Sequence, residues 1–172
     1  AKGEYIARMD ADDVSLPRRL EMQFEKMSEG RLDFCGCNIV MMSESGKMLK
    51  EVVMPSSPDL IMITLACTVP FAHGSVMMRR QFLQAHHLNY EKNAVAEDYD
   101  LWCRAFNSGA RMGNVNEILF HYRHFNQSLS KIHAKKVLHH TQKIRRNFIQ
   151  HNAIAVAAAI ERLLAQQRQL ST

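Results

Sequence analysis

The sequence contains few cysteines, and none of them have the spacing of a disulfide framework or a zinc site. The 172 residues include four, at positions 35, 37, 67 and 103, without a Cys-x-x-Cys pair. Cys35 and Cys37 fall two residues apart in a predicted strand, so both thiols lie on one side and too close in sequence for ordinary structural zinc. The pattern favours buried free thiols in a reducing compartment.

Long apolar runs are also absent, and we find no signal peptide. No run reaches the roughly 18 residues of a membrane-spanning helix. Hydrophobic residues make up 47% of the chain and charged residues 23%, which is ordinary for a soluble globular protein. These observations predict a cytoplasmic protein with one sizeable core.

Acidic residues are scarce near the end of the chain. Residues 131–172 contain eight Lys or Arg and one acid, Glu161, for a net charge of +7, whereas residues 1–130 carry −2. We therefore divide the chain into a domain at 1–130 and a basic helical tail at 131–172. The tail suits a solvated or protein-contacting helix, or an anionic membrane surface that would make the protein peripheral at the inner membrane. It has no motif and few aromatics for binding nucleic acid, so we expect none.

Strands alternate with helices, which predicts an α/β domain with a mixed sheet, flanking helices and the helical tail. Predicted strands cover 4–9, 32–42, 47–53, 75–78 and 111–122, and predicted helices cover 59–67, 79–86, 97–108 and most of 131–172. A further helix follows Ser15 and Pro17 and stops near Gly30. Its Leu20, Phe24 and Met27 recur at helical spacing and predict one apolar face.

Three carboxylates crowd into four residues at Asp10, Asp12 and Asp13. Like charges at that spacing raise one another's pKa, and a divalent cation removes the cost. Mg²⁺ or Mn²⁺ takes a few carboxylates together with substrate phosphates and water. The alternative is an acidic cap on the helix that follows.

A second acidic pair, Glu97 and Asp98, begins the helix that contains Trp102. Free N–H groups and the helix dipole stabilise an ionised carboxylate there. Such a carboxylate, directed into a cleft, can accept a proton from an attacking hydroxyl. Ordinary capping again explains the pair equally well.

Four segments in series resemble the family-2 glycosyltransferases. They are GEYIARMDADDVSLPRRLEMQ, FAHGSVMMRR, AEDYDLWCRAFNSG and HYRHFNQSLS, which lie in the family's order between residues 3 and 130. The resemblance implies a partial GT-A fold and inverting, metal-dependent transfer of a sugar from a nucleotide-sugar to a hydroxyl of a saccharide or lipid-linked acceptor. It also implies a place in bacterial cell-surface polysaccharide or lipopolysaccharide synthesis.

The resemblance also implies residue roles. Asp98 would be the catalytic base, and Asp12 with Asp10 would hold Mg²⁺ or Mn²⁺. The other expected substrate-binding residues are Asp10, Asp13, His73, Glu97, Arg123 and His124. His73 could instead stabilise its loop, and Trp102 is expected in the core. Within each of the adjacent pairs His86–His87 and His139–His140, the two side chains are expected to point in different directions. We therefore assign no metal to either pair.

The family's N-terminal half, which supplies most of the pocket for the nucleotide base, has no counterpart before residue 1. We expect self-association of the chain and weak or absent transferase activity. The alternative function is a non-catalytic module that binds or oligomerises through its core and basic tail.

Overall fold

The structure is a computed structural model that describes residues 1–91, 95–125 and 134–170. Its strands are β1 Tyr5–Ala7, β2 Val14–Ser15, β3 Phe34–Met42, β4 Met48–Val52, β5 Met77–Arg79 and β6 Met112–Arg123. Its helices are α1 Arg19–Glu29, α2 Pro58–Leu65, α3 Arg80–Ala85, α4 Glu97–Asn107 and α5 Ala134–Leu170, and a 3₁₀ turn covers His73–Ser75. The α/β class expected from the sequence is confirmed.

The strands form one mixed sheet in the order β1-β5-β3-β6-β2, and β4 pairs with β3. The long central strands β3 and β6 run parallel, and the other pairs are antiparallel. β1 and β2 therefore lie at opposite edges of the sheet, although only residues 8–13 separate them in sequence. This connection, which carries the three aspartates, must cross the end of the sheet.

The core occupies both faces of the sheet because successive side chains of a strand point to opposite sides. Phe34 and Trp102 belong to the larger cluster, which α2, α4 and α5 cover. Cys35 and Cys37 belong to the other cluster, together with Met27 of α1. Trp102 is fully buried, which confirms its expected place in the core.

The buried face of α1 differs from the predicted one. Leu20 and Phe24 are 53% and 51% exposed, whereas Arg19, Gln23 and Met27 are buried. The predicted apolar face is therefore wrong except at Met27. Hydrophobic periodicity missed it because two long polar side chains find hydrogen-bond partners inside the protein, which removes the usual cost of their burial.

Two other expectations need correction in detail. Cys67 is a free but exposed thiol, whereas the other three cysteines are buried and free. The predicted strand at 75–78 starts within the 3₁₀ turn, which ends at Ser75, and the paired strand begins only at Met77. The predicted hairpin is confirmed, with Gly46 at φ +86 in its turn, a conformation that glycine adopts without strain.

The expected basic tail is one helix, α5, over the part that the structure describes. Phe148 and Ala159 are buried in the larger core cluster, and Arg162 donates two hydrogen bonds to Asp59 of α2, at 2.6 and 3.0 Å. The division at residue 130 stays a prediction. Among the described residues, no helix combines the length and apolar character that crossing a bilayer requires.

Candidate functional site

The acidic turn lies between the two edges of the sheet and is held at both ends by backbone hydrogen bonds. The amide of Arg8 donates to the carbonyl of Val76 at 2.8 Å, and the amide of Leu16 donates to the carbonyl of Leu119 at 3.0 Å. Inside the turn, the Asp13 amide donates to the Asp10 carbonyl at 3.3 Å. The backbone that carries the three carboxylates is therefore held in place by hydrogen bonds at both ends.

Arg19 and Gln23 of α1 hold this turn in place through buried hydrogen bonds. The Arg19 guanidinium donates to the Arg8 carbonyl at 2.6 Å and to Gln23 Oε1 at 3.0 Å, and it lies 4.9 Å from the centre of the Phe120 ring. Gln23 donates to the carbonyls of Cys35 and Ser75 at 2.7 and 2.8 Å. One buried pair thus connects the turn, β3 and the 3₁₀ turn.

The three aspartates have different surroundings. Asp10 is half-buried and pairs with the Arg8 guanidinium, whereas Asp12 is exposed. Asp13 is buried; its Oδ1 accepts the Arg123 amide at 2.8 Å, and its Oδ2 has no partner among the described residues. Burial raises the pKa of Asp13 to about 6, and the charges of Asp12 and Asp10 add to the rise.

Arg123 holds the acidic turn against the β3–β4 turn. Its guanidinium donates to the carbonyls of Asp12 at 2.7 Å, Glu44 at 2.8 Å and Ser43 at 3.2 Å. The side chain that we expected to bind substrate is therefore engaged with backbone oxygens. The adjacent His124 donates its amide to the Met42 carbonyl at 2.8 Å.

A cavity of about 310 Å³ opens at this point. Its lining consists of Asp10, Asp12, Asp13, Tyr122, Arg123, His124 and Phe125. Four of the six residues expected to bind substrate therefore meet here, together with the expected metal ligand Asp12. His73 and Glu97 do not line this cavity.

The second expected group lies at the start of α4. Asp98 is half-buried, and its Oδ1 accepts the amide of Tyr99 at 2.8 Å. The residue before the pair, Ala96, has φ +65, a left-handed conformation that strains any residue with a Cβ atom. Asp98 and Trp102 stand one helical turn apart and share a face of α4.

His73 lies between the acidic turn and α4. Its ring centre is 6.2 Å from that of Trp102, and its Nε2 lies 2.9 Å from the Tyr90 hydroxyl. Burial lowers the pKa of His73, against the opposite effect of Asp98, Asp10 and Glu97. Burial thus favours the neutral imidazole, although the charges of three carboxylates act against it.

The charges of the two acidic groups act on the pKa of the same tyrosines. Burial raises the pKa of Tyr122, and the charges of Asp13, Asp10, Asp12 and Asp98 raise it further, in that order. Burial also raises the pKa of Tyr90, which feels Asp98, Glu97 and Asp10 as well. The carboxylates of the turn and of α4 thus act on the same phenols.

Sequence reasoning missed several residues of this site. Arg8 is a charged residue inside an otherwise apolar strand segment, which was a usable signal. Arg19 belongs to the Leu-Pro-x-Arg-Leu segment quoted above, but its burial was hidden by the apolar spacing of its neighbours. Tyr90 has no signal in the sequence, because only the fold brings it to His73.

The donor set fits a hard divalent cation in part. Within residues 1–91, 95–125 and 134–170, no three His, Cys, Asp or Glu side chains gather closely enough to hold a metal by themselves. Mg²⁺ and Mn²⁺ need only one or two carboxylates when substrate phosphates and water complete the shell. The exposed Asp12 and the half-buried Asp10 meet that requirement.

Comparison with known proteins adds an independent observation. The model of glycosyl transferase family group 2 matches residues 5–159. The chain is 37% identical over 132 residues to the O-antigen biosynthesis glycosyltransferase WbnJ of Escherichia coli, covering 76% of this chain and 51% of that protein. It is 35% identical over 126 residues to the putative glycosyltransferase EpsE of Bacillus subtilis (strain 168), covering 72% and 44%.

The fold has a solved counterpart. The crystal structure of residues 1–349 of S. aureus TarS in complex with UDP-GlcNAc matches 88% of this chain and 49% of that one, with a TM-score of 0.55 and 16% sequence identity. At that identity the match shows the fold alone. The chain spans about half the length of the curated relatives it matches.

Proposed function

Because the chain belongs to glycosyl transferase family group 2, we propose that it carries the catalytic end of a sugar transferase. The reaction moves a sugar from a nucleotide-sugar to a hydroxyl acceptor and inverts the anomeric configuration. One observation supports this most strongly: the carboxylates of the turn at 10–13 and of the start of α4 both affect the pKa of Tyr122, His73 and Tyr90, and Tyr122 lines the cavity at that turn. A cation site and a base are useful to this chemistry only when they share a cleft.

In this proposal Asp98 is the general base. Its carboxylate accepts the proton of the acceptor hydroxyl while that oxygen attacks the anomeric carbon and the bond to the nucleoside diphosphate breaks. The neutral His73 beside Asp98 supplies a hydrogen-bonding group to the acceptor side without a second positive charge.

Asp12 and Asp10 are the residues that would hold Mg²⁺ or Mn²⁺. The bound cation would neutralise charge on the leaving diphosphate. Arg123 has a positioning role in this proposal because its guanidinium fixes the backbone of Asp12 and its amide fixes the carboxylate of Asp13. Asp13 supports the turn from its buried position.

The names of two relatives support a proposal for the acceptor class. O-antigen biosynthesis is the process given for WbnJ, and amylovoran biosynthesis is given for AmsE of Erwinia amylovora, 32% identical over 120 residues. We infer that this chain takes part in the synthesis of a cell-surface polysaccharide. The acceptor is then a saccharide or a lipid-linked saccharide.

Two substitutions test the assignment. Asp98→Asn should lower turnover by about 10² to 10⁴-fold while donor binding is kept, because only proton transfer is lost. Asp12→Asn should weaken Mn²⁺-dependent binding of nucleoside diphosphates. Calorimetry with UDP and GDP measures binding by the 172-residue chain, and release of nucleoside diphosphate from a panel of nucleotide-sugars measures turnover. Proton NMR of the product reports its anomeric configuration.

Glu117→Gln, which neutralises an exposed carboxylate on β6, is the matched control and should change neither quantity. Equal loss of donor binding in Asp98→Asn and Asp12→Asn would contradict the separate roles. If no nucleotide binds in the presence of Mn²⁺, the observation instead favours the non-catalytic binding module for this chain.

A further inference from the structure

The outward side of α5 carries a continuous stripe of exposed residues that nothing in the described chain covers. Ile144, Phe148, Val156 and Ala159 of this helix face the core. On the other side, steps of three and four residues connect a second row, which we call the outer stripe. All of its members are exposed: Lys135, His139, Lys143, Arg146, Ile149, Ala153, Ala157, Ile160, Leu164 and Arg168.

The chemical character of the outer stripe changes along the helix. Its first part is basic, its middle part from Ile149 to Leu164 is apolar, and Arg168 ends it with positive charge. Ile149, Ile160 and Leu164 are 40%, 42% and 47% exposed, and the neighbouring Ile154 is 89% exposed. Water-exposed isoleucines at this density on one helix face indicate an interaction surface.

The charge of this surface is almost entirely of one sign. Residues 131–172 contain a single acid, Glu161. Arg145 and Arg146 line a groove of about 400 Å³ together with Gln142, Ile149 and Gln150. The groove brings two guanidinium groups beside the apolar side chain of Ile149, a combination that suits a phosphate ester attached to hydrocarbon.

We propose that the outer stripe of α5 lies on the surface of an anionic lipid bilayer. The basic residues contact lipid phosphates, and the apolar middle enters the boundary between headgroups and acyl chains. A helix of 37 residues is about 55 Å long, so it presents the whole stripe to a flat surface at once. The candidate site would then be held near lipid-linked acceptors.

A second copy of the chain fits the stripe less well. Antiparallel pairing centred on Ala157 would place Arg146 opposite Arg168 of the other copy, and parallel pairing would place the basic segments on each other. Each chain also carries a net charge of +5, so two copies repel. An anionic bilayer turns the same charges into attraction.

Flotation of the 172-residue chain with vesicles tests the proposal. We expect binding to phosphatidylcholine vesicles that contain phosphatidylglycerol and little binding to phosphatidylcholine alone. Lys135→Gln/Lys143→Gln/Arg146→Gln should weaken the partition coefficient roughly 100-fold, or about fivefold for each charge removed. The matched control, Lys2→Gln/Lys47→Gln/Lys50→Gln, removes the same charge from exposed positions elsewhere and should change binding little.

The apolar part needs its own variant. Ile154→Ser/Ile160→Ser should weaken partition roughly tenfold, whereas Leu49→Ser/Val53→Ser, at exposed positions on and beside β4, should not. Equal binding to neutral vesicles, or equal loss in both charge variants, would overturn the proposal. So would a dimer, detected by light scattering, that Ile154→Ser/Ile160→Ser converts to monomer, because a second copy would then cover the stripe.

Discussion

Asp13 is the residue at which burial and function compete most directly. Its carboxyl group is 6% exposed, accepts one backbone N–H and leaves one oxygen without a partner among the described residues. Folding therefore moves a charged group out of water with only half of its hydrogen bonds replaced. The pKa of Asp13 rises to about 6 for this reason.

This rise predicts how stability depends on pH. Since the folded pKa lies above the ordinary value of 3.8, the folded chain binds its proton more tightly than the unfolded chain does. As the pH rises from about 4 to about 6, the free energy of unfolding should therefore fall by up to about 3 kcal/mol. Above about pH 6 this loss of stability stays constant.

Asp13→Asn should remove that dependence. Urea unfolding of the two proteins between pH 4.5 and 7.5 gives the difference, because titrations far from residue 13 cancel. Asp12→Asn, at the exposed neighbour, should keep most of the wild-type slope, because burial and not the charge of Asp12 is the largest cause of the raised pKa. Curves for Asp13→Asn and wild type that run parallel throughout would show that the buried carboxyl does not titrate in this window.

The residues of the site could be predicted only where their chemistry is written in the local sequence. Asp10, Asp12 and Asp13 stand out because three carboxylates in four residues need a compensating charge. The effect of this turn and of α4 on the same side chains depends on the tertiary fold, which no local spacing records. Only the resemblance to family-2 glycosyltransferases predicted that the two acidic groups act together. The roles assigned to the residues of both groups stay predictions.

At the scale of elements, α1 shows that apolar spacing can point to the wrong face. Gln23 makes two hydrogen bonds to the carbonyls of Cys35 and Ser75, and Leu20 is more than half exposed on the same helix. The strands other than the two-residue β2, and most helices, followed from period and turn residues. This face did not, because a buried amide with two acceptors resembles a surface residue in a hydropathy pattern.

A pair of opposite substitutions on α1 tests this interpretation. Gln23→Leu should destabilise the fold by about 2–4 kcal/mol, although it adds a hydrophobic residue, because it leaves two buried carbonyls without donors. Leu20→Gln should change the free energy of unfolding by no more than about 0.5 kcal/mol. Chemical denaturation measures both, and a larger cost for Leu20→Gln would restore the face expected from spacing.

At the scale of the whole molecule, α5 completes the core and does not merely follow it. Phe148 is 1% exposed and packs edge-on against Phe106 of α4, with ring centres 5.4 Å apart. The abrupt change of charge at residue 130 marks a change of surface and not an end of packing. Composition alone could not distinguish the two, because Phe148 is one buried residue within a strongly basic segment.

Phe148→Ala should therefore destabilise the entire chain by about 3–5 kcal/mol. Ile154→Ala, beside the outer stripe, should cost little, although it also removes a large apolar side chain. Thermal and urea unfolding followed by the fluorescence of Trp102 report on the domain and not on the helix. Unchanged fluorescence transitions in Phe148→Ala would mean that α5 folds apart from the sheet.

The two short edge strands β1 and β2 set a final constraint. Ala7 and Val14 are seven residues apart, a length that spans at most about 25 Å, and four strand spacings separate the edges by about 19 Å if the sheet were flat. The fully extended connection would therefore have only about 6 Å to spare, and the turn between Asp10 and Asp13 takes up part of that length. Deleting two residues would leave about 18 Å, which is less than the distance between the edges, so an edge strand would have to leave the sheet.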